Sequence, residues 1–241
     1  MLMHKLLLCL ASLRRIAALE FSAQRKCPIM LEALRMALDQ PGIVVDIGAN
    51  GGCEMNAALH HGRHVIGVEC LASAYQELLS YEPISQHPNA SLLHICAGRR
   101  TGMTHLLLAS DSSSLYAENV AGGKERKKAA SLCPEGGCSS SALKSATPKV
   151  GGAVLRQAVV LVPLDDIVQE SRVAVIKVDT QGSEFEALLG MLNTIRRDRP
   201  VIVYEDVNRA GWKKSGDVER DLLRPLGYKC HRASDVRCAV P

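Results

Sequence analysis

Residues 43–51, Ile-Val-Val-Asp-Ile-Gly-Ala-Asn-Gly, pass abruptly from an apolar run into a small, glycine-containing turn. A buried parallel strand that feeds a ligand loop has this pattern. Ile43, Val44, Val45 and Ile47 show little polar alternation, as expected of a strand covered on both faces. Gly48, Gly51 and Gly52 then remove the side chains that would hold a ligand away from the backbone. The spacing is not the G-x-G-x-x-G pattern, whose turn holds a pyrophosphate at a helix N-terminus. It is Asp46-x-Gly48-x-x-Gly51. An acid beside the turn suits an ammonium-bearing ligand and opposes phosphates.

A second carboxylate extends the pattern. Residues 64–69, His-Val-Ile-Gly-Val-Glu, form another short apolar strand ending in Glu69, 23 positions after Asp46. In a doubly wound sheet, an acid at the tip of the second strand can accept hydrogen bonds from both hydroxyls of a ribose. The structural alternative is that Glu69 opens the following helix, where its charge favours the dipole.

Composition limits the classes of function. With 241 residues, 47% hydrophobic and 22% charged, the chain can bury a core of its own. Only 3% of residues are aromatic, and the net charge of +4 comes from intermixed acids and bases. Neither a base-stacking platform nor a basic stripe emerges, so no nucleic-acid partner is expected. Nine cysteines form an odd set, and Cys53, Cys70, Cys96, Cys230 and Cys238 sit in apolar segments. Buried free thiols in a reducing compartment are the expectation.

Two domain-level segments follow. Residues 1–41 form an N-terminal segment in which Leu6–Leu13 is apolar but is ended by Arg14 and Arg15. Eight residues cannot cross a bilayer. The segment fits a helix packed on the sheet, or a targeting or anchoring sequence, and any membrane association would run through it. A helix around Met30–Leu38, with Leu31, Leu34 and Leu38 at helical spacing, stops at Pro41 and Gly42. Residues 42–241 then form one α/β domain. Its polar Gly/Ser-rich insertion at about 117–153 carries Lys124, Arg126, Lys127 and Lys128, and mobility is expected there. Cys133 and Cys138 within it lack the further ligands that zinc requires, so no metal site is expected.

Strands are expected at Leu92–Cys96, Met103–Ala109, Ala158–Val162, Val173–Val178 and Pro200–Tyr204, with a loop at Pro83–Asn89. A helix at Asp217–Leu226, closed by Gly227, precedes a hairpin of Tyr228–Arg232 and Val236–Val240. This order fits a Rossmann-like, doubly wound, mainly parallel sheet with a C-terminal antiparallel hairpin.

The second informative stretch is residues 173–190. A buried strand interrupted by Lys177 ends in Asp179, Gly182 turns the chain, and Ser183 with Glu186 has the spacing of a capping box. Phe185, Leu188, Leu189, Leu192 and Ile195 supply one apolar helix face. A lysine in a buried strand must be paired, and Asp179 is the nearest candidate in sequence. Helix initiation accounts for Glu184 and Glu186, but not for Lys177 and Asp179.

Asp46-Ile-Gly-Ala-Asn-Gly51, Leu164-Asp-Asp-Ile167, Ile176-Lys-Val-Asp-Thr-Gln-Gly-Ser-Glu184 and Pro200-Val-Ile-Val-Tyr-Glu205 together resemble the FkbM-type S-adenosylmethionine-dependent methyltransferases. The likeness spans about residues 43–206 apart from the insertion. Departures are Gln181, where the family usually has Glu, Cys70 in place of Pro, and Pro163 in place of Thr. The resemblance implies a seven-stranded methyltransferase sheet and S-adenosyl-L-methionine as cofactor, held by Asp46, Gly48, Asn50, Gly51, Glu69 and Ala97. It also implies methyl transfer, most often to a hydroxyl of a sugar, glycan or other small-molecule acceptor.

Because the methyl carbon is already activated by a sulfonium, the protein's task is chiefly alignment plus a base for the acceptor proton. Asp179, Lys177 and Glu205 are the catalytic candidates. His94 and His105 lie in apolar runs and are expected to be packed or edge-strand residues, and His60 and His61 to be exposed. Two other classes remain: a cofactor-binding module without catalysis, and a nucleotide-sugar or NAD-binding enzyme. The acceptor and the oligomeric state are not legible in the sequence.

Overall fold

The computed structural model describes residues 27–107, 156–205, 216–232 and 236–240. The N-terminal stretch to residue 26, the insertion with Cys133 and Cys138, Asp206 and the hairpin turn at 233–235 lie outside them. No helix among the described residues is long and apolar enough to cross a membrane.

Seven strands form one sheet. They are β1 (Ile43–Ile47), β2 (Val65–Val68), β3 (Ala90–Leu93), β7 (Val173–Val178), β8 (Val201–Tyr204), β9 (Lys229–Arg232) and β10 (Val236–Ala239), in the order β3-β2-β1-β7-β8-β10-β9. The first five run parallel, and the β9–β10 hairpin is antiparallel at one edge. Parallel pairing needs crossovers, which are supplied by helices on both faces. On one face Val45, Ile47, Ile176, Val178 and Ile202 pack with Leu188, Met191 and Ile195. On the other, Val44, Val175, Val201 and Val203 pack with Met30, Leu34, Met55 and Leu59. The strands are apolar throughout because both layers are buried. β1 lies between β2 and β7, the point where strand order reverses and where such sheets open a crevice at their carboxyl ends.

Several local expectations change. The strand expected at Leu92–Cys96 is two pieces: β3 ends at Leu93, and β4 (Cys96–Ala97) leaves the main sheet. With β5 (Gly102–Leu107) and β6 (Arg156–Val162), β4 builds a separate three-stranded sheet in the order β4-β6-β5. The loop expected at Pro83–Asn89 begins with a helical turn, Glu82–Ser85, which buries Ile84 and carries Pro83 early, where proline is tolerated. Leu38 is outside the first helix, Pro28–Met36, and is 74% exposed.

The helix expected after Gly182 is also broken in two, Glu184–Leu189 and Leu192–Asp198. Gly190 sits at the break, so close to the Gly98 carbonyl that a Cβ there would overlap it. Asp165, from the Leu-Asp-Asp-Ile motif, caps the second piece. Its carboxylate accepts from the Asn193 and Thr194 backbone N–H groups, both at 2.9 Å, and from the Thr194 hydroxyl at 2.7 Å. The helix near residue 217 is a π-helical segment, Val218–Leu223, followed by a 3₁₀ turn, Arg224–Leu226, and closed by Gly227.

The cysteines overturn the free-thiol expectation. Disulfides join Cys27 to Cys53, Cys70 to Cys96 and Cys230 to Cys238, with Cα separations of 6.0, 4.6 and 4.1 Å. Apolar surroundings are equally suited to a buried disulfide. The pairing depends on which segments the fold apposes, and sequence spacing does not reveal that. Cys230 and Cys238, for example, are register partners in the hairpin.

Candidate active site

The carboxyl ends of β1, β2, β7 and β8 lie along one edge of the sheet and carry Gly48, Glu69, Asp179 and Glu205. Their backbones stay in the ladder to the last residue. Gly48 N–H donates to the Val68 carbonyl at 2.8 Å, Glu69 N–H to Leu93 at 3.0 Å, Asp179 N–H to Ile47 at 2.9 Å and Glu205 N–H to Val178 at 3.2 Å. Four separate sequence motifs are thereby brought to one place.

The turn after β1 is tightly determined. Gly48 has φ +79°, and a Cβ on it would lie 1.9 Å from the Asp179 carbonyl oxygen, so only glycine fits between β1 and β7. Ala49 is buried, whereas Asn50, at φ 43°, and Gly51 face outward. A Cβ on Gly51 would meet nothing within 4 Å, so the outer side of the turn is open backbone. Asn50 N–H donates to Glu69 Oε2 at 2.8 Å, and Leu71 N–H to Glu69 Oε1 at 2.7 Å. The Glu69 carboxylate thus ties the glycine turn to the start of the next helix, Ala72–Ser80. Glu69 is buried, and each of its carboxylate oxygens accepts one of these two backbone bonds.

The corner beyond Glu69 is clamped from the small sheet. Gln157 donates to the Cys70 carbonyl at 2.9 Å and accepts from Ala72 N–H at 3.0 Å, and the Cys70–Cys96 disulfide ends one residue before buried Ala97.

Asp46 and Lys177 are register partners on β1 and β7, and their side chains meet on the same face. The Lys177 ammonium lies 3.2 Å from Asp46 Oδ1 and 4.0 Å from Asp179 Oδ2, and donates to the Gly48 carbonyl at 2.8 Å. Asp46, not Asp179, is therefore the closer partner of Lys177, a correction that follows from parallel register rather than sequence proximity. Asp46 is completely buried and neither of its oxygens has a well-aligned hydrogen bond, so the contact is an ion pair inside the fold. Burial pushes the Asp46 carboxyl from 3.8 up to about 7, against the opposing pull of Lys177. Burial also works against the Lys177 charge, but the Asp46 and Asp179 carboxylates hold its pKa above the ordinary lysine value. The pair braces the turn from behind; the open face belongs to Asn50 and Gly51.

The tips of β7 and β8 are different. The Asp179 side chain is 42% exposed. One side-chain nitrogen, Gln181 Nε2, donates to Asp179 Oδ1 and to Glu205 Oε2, each at 2.9 Å. In the sequence Gln181 stands out only as a departure from the family's usual Glu, and its contact with Glu205, 24 residues away, leaves no sequence signal. The capping box expected of Ser183 and Glu186 does not form, since Ser183 Oγ donates instead to the Thr180 carbonyl at 3.2 Å. Buried Glu184 organises this loop. Its Oε1 accepts from the N–H groups of Thr180 at 3.0 Å and Gly182 at 2.9 Å, while burial raises its pKa against those bonds. His94 stacks on Tyr75 at 4.8 Å, and His60, His61 and His105 are exposed.

No curated protein matches the chain. Solved structures with similar folds include methyltransferase FkbM from Methylobacillus flagellatus KT at 16% identity, covering 82% of this chain and 43% of that one, with TM-score 0.48. They also include precorrin-6y C5,15-methyltransferase from Geobacter metallireducens GS-15, at 13% identity, 88% and 83% coverage and TM-score 0.43. A methyltransferase from Geobacter sulfurreducens follows at 10% identity, 93% and 85% coverage and TM-score 0.42. The chain spans less than half the length of the first of these. The sequence model of the methyltransferase FkbM domain matches residues 46–230, from the buried acid of the glycine turn to the last hairpin, and the chain belongs to that family.

Proposed function

We propose that the protein transfers a methyl group from S-adenosylmethionine to a hydroxyl oxygen on a sugar or other small-molecule acceptor. The observation that carries this is the convergence on one sheet edge of an outward-facing glycine turn, the Glu69 carboxylate and the exposed Asp179. The turn fits the cofactor's chemistry, because its open side lies at Asn50 and Gly51 and an anionic acceptor of ribose hydroxyls stands beside it. The cofactor supplies a methyl carbon activated by its sulfonium. Asn50, Gly51, Glu69 and Ala97 would hold it, and the buried Asp46–Lys177 pair with Gly48 would keep the turn in shape.

A neutral alcohol is a weak nucleophile, and a positioned carboxylate can take its proton as the new bond forms. Asp179 is assigned that task, with Glu205 as its neighbour in the same cluster. Lys177 acts through the turn and through Asp179 rather than on the acceptor, since its ammonium is buried.

The test is transfer of isotopically labelled methyl from S-adenosylmethionine to a panel of hydroxylated acceptors by the wild type and by Asp179→Asn. The variant keeps the side chain's shape and removes its basicity. Its transfer rate is expected to fall by about 100-fold or more, with affinity for S-adenosylhomocysteine largely kept. Transfer at the wild-type rate would exclude Asp179 as the base. Cofactor binding without transfer to any acceptor by the wild type would favour a non-catalytic binding module.

A further inference from the structure

We infer that Gln181 is a positioning residue that holds Asp179 and Glu205 as one two-carboxylate unit facing the acceptor side of the crevice; this rests on the function proposed above. An amide nitrogen carries two hydrogens, and Gln181 Nε2 directs one bond to each carboxylate, both at 2.9 Å. Ionised carboxylates are acceptors only, so an amide donor can bridge two of them where a third carboxylate could not without retaining a proton. The bridge also joins two different strand ends, β7 and β8, and so fixes the spacing of groups 26 residues apart in the chain.

The backbone is shaped for this. Gln181 has φ 56°, a conformation non-glycine residues seldom adopt, and the neighbouring Gly182 has φ 111°. Glu184 holds the loop in that shape by accepting from Thr180 N–H and Gly182 N–H on either side of Gln181. A strained residue whose side chain spans two carboxylates has a geometric purpose that loop closure alone does not require. The charges near Asp179 are Lys177 at 4.0 Å, with Asp46 beyond it, and Glu184 in its own loop. Gln181 adds no charge to this set.

The experiment is carbon-13 NMR titration of the side-chain carboxyls in the full chain, with resonances assigned from Asp179→Asn and Glu205→Gln. In Gln181→Ala the Asp179 and Glu205 resonances are expected to shift together, while Glu69 stays in place. In Gln181→Glu a third acid enters the cluster, and its highest apparent midpoint is expected to rise by about one pH unit or more above wild type. Gln181→Asn, with a shorter reach, should restore at most one of the two contacts. Movement of only one carboxyl resonance in Gln181→Ala, or a Gln181→Glu titration that matches wild type, would overturn the inference. Calorimetry with S-adenosylhomocysteine runs in parallel. Its failure in the wild type would remove the proposed function and leave the NMR result on the clamp intact.

Discussion

The carboxyl end of β7 holds a lysine and an acid only two residues apart, yet their environments are opposite. At Lys177 the charge is buried against a completely buried Asp46; at Asp179 the carboxylate is 42% exposed and held by a neutral amide. Charges that face inward cost desolvation, which a partner at 3.2 Å must offset, and they define where the backbone sits. Charges that face the crevice keep contact with solvent and can exchange protons with a ligand. On the proposed function, the contrast separates residues that shape the turn from the residue assigned to act on the acceptor. Replacing the former should be read mainly in stability, and the latter mainly in turnover.

The largest expected loss is at the buried pair. Lys177→Met leaves Asp46 without its counter-charge and should cost about 3–5 kcal/mol in denaturant unfolding at pH 8. The loss should shrink at pH 5, where Asp46 can take up a proton. The same titration sets a sign for Asp46→Asn. A carboxyl raised from 3.8 to about 7 makes the folded state bind more protons than the unfolded state, so wild-type stability from this group falls as pH rises through that window. Asp46→Asn should therefore gain stability relative to wild type between pH 4 and pH 7, measured by paired unfolding curves. A difference that is flat with pH would mean that Asp46 is ionised throughout.

Gly48→Ala comes next, at about 2–4 kcal/mol, because a Cβ would overlap the Asp179 carbonyl and the residue would keep a positive φ. Unfolding curves that superpose on wild type would show that β1 and β7 are less tightly apposed than described. Cutting the Cys70–Cys96 link with paired serines opens a loop closed over 26 positions and should cost about 2–3.5 kcal/mol. A purely structural strap predicts that loss with no change in transfer rate per folded molecule. A rate change would instead place the corner after Glu69 among the parts that act.

Much of this division was legible in the sequence and part was not. The apolar run of β1 and the glycines after it identified the turn, because a buried strand and an open backbone each leave a composition signature. The strand-end positions of Glu69, Asp179 and Glu205 were legible because each ends an apolar run. The Asp46–Lys177 pair was missed because its two residues are 131 positions apart and meet only through strand register. The Gln181 bridge, the Asp165 cap and the Cys27–Cys53 and Cys70–Cys96 disulfides share that cause: each joins segments that only the fold brings together. The β4-β6-β5 sheet was missed for a related reason, since strand pattern does not say which sheet a strand joins.

The smallest of these effects is at Glu69, where Glu69→Ala should weaken S-adenosylhomocysteine binding by about 1–3 kcal/mol through lost hydrogen bonds to a charged acceptor. An unchanged affinity would restrict Glu69 to its bonds with Asn50 and Leu71. The most direct test of the whole assignment is calorimetric titration of the wild-type chain with S-adenosylhomocysteine and, separately, with NAD. A glycine turn flanked by the Glu69 carboxylate should give saturable one-to-one binding of S-adenosylhomocysteine, and at least about 100-fold weaker binding of NAD, whose diphosphate the carboxylates oppose. NAD binding of equal or greater strength, or no binding of S-adenosylhomocysteine, would contradict the account.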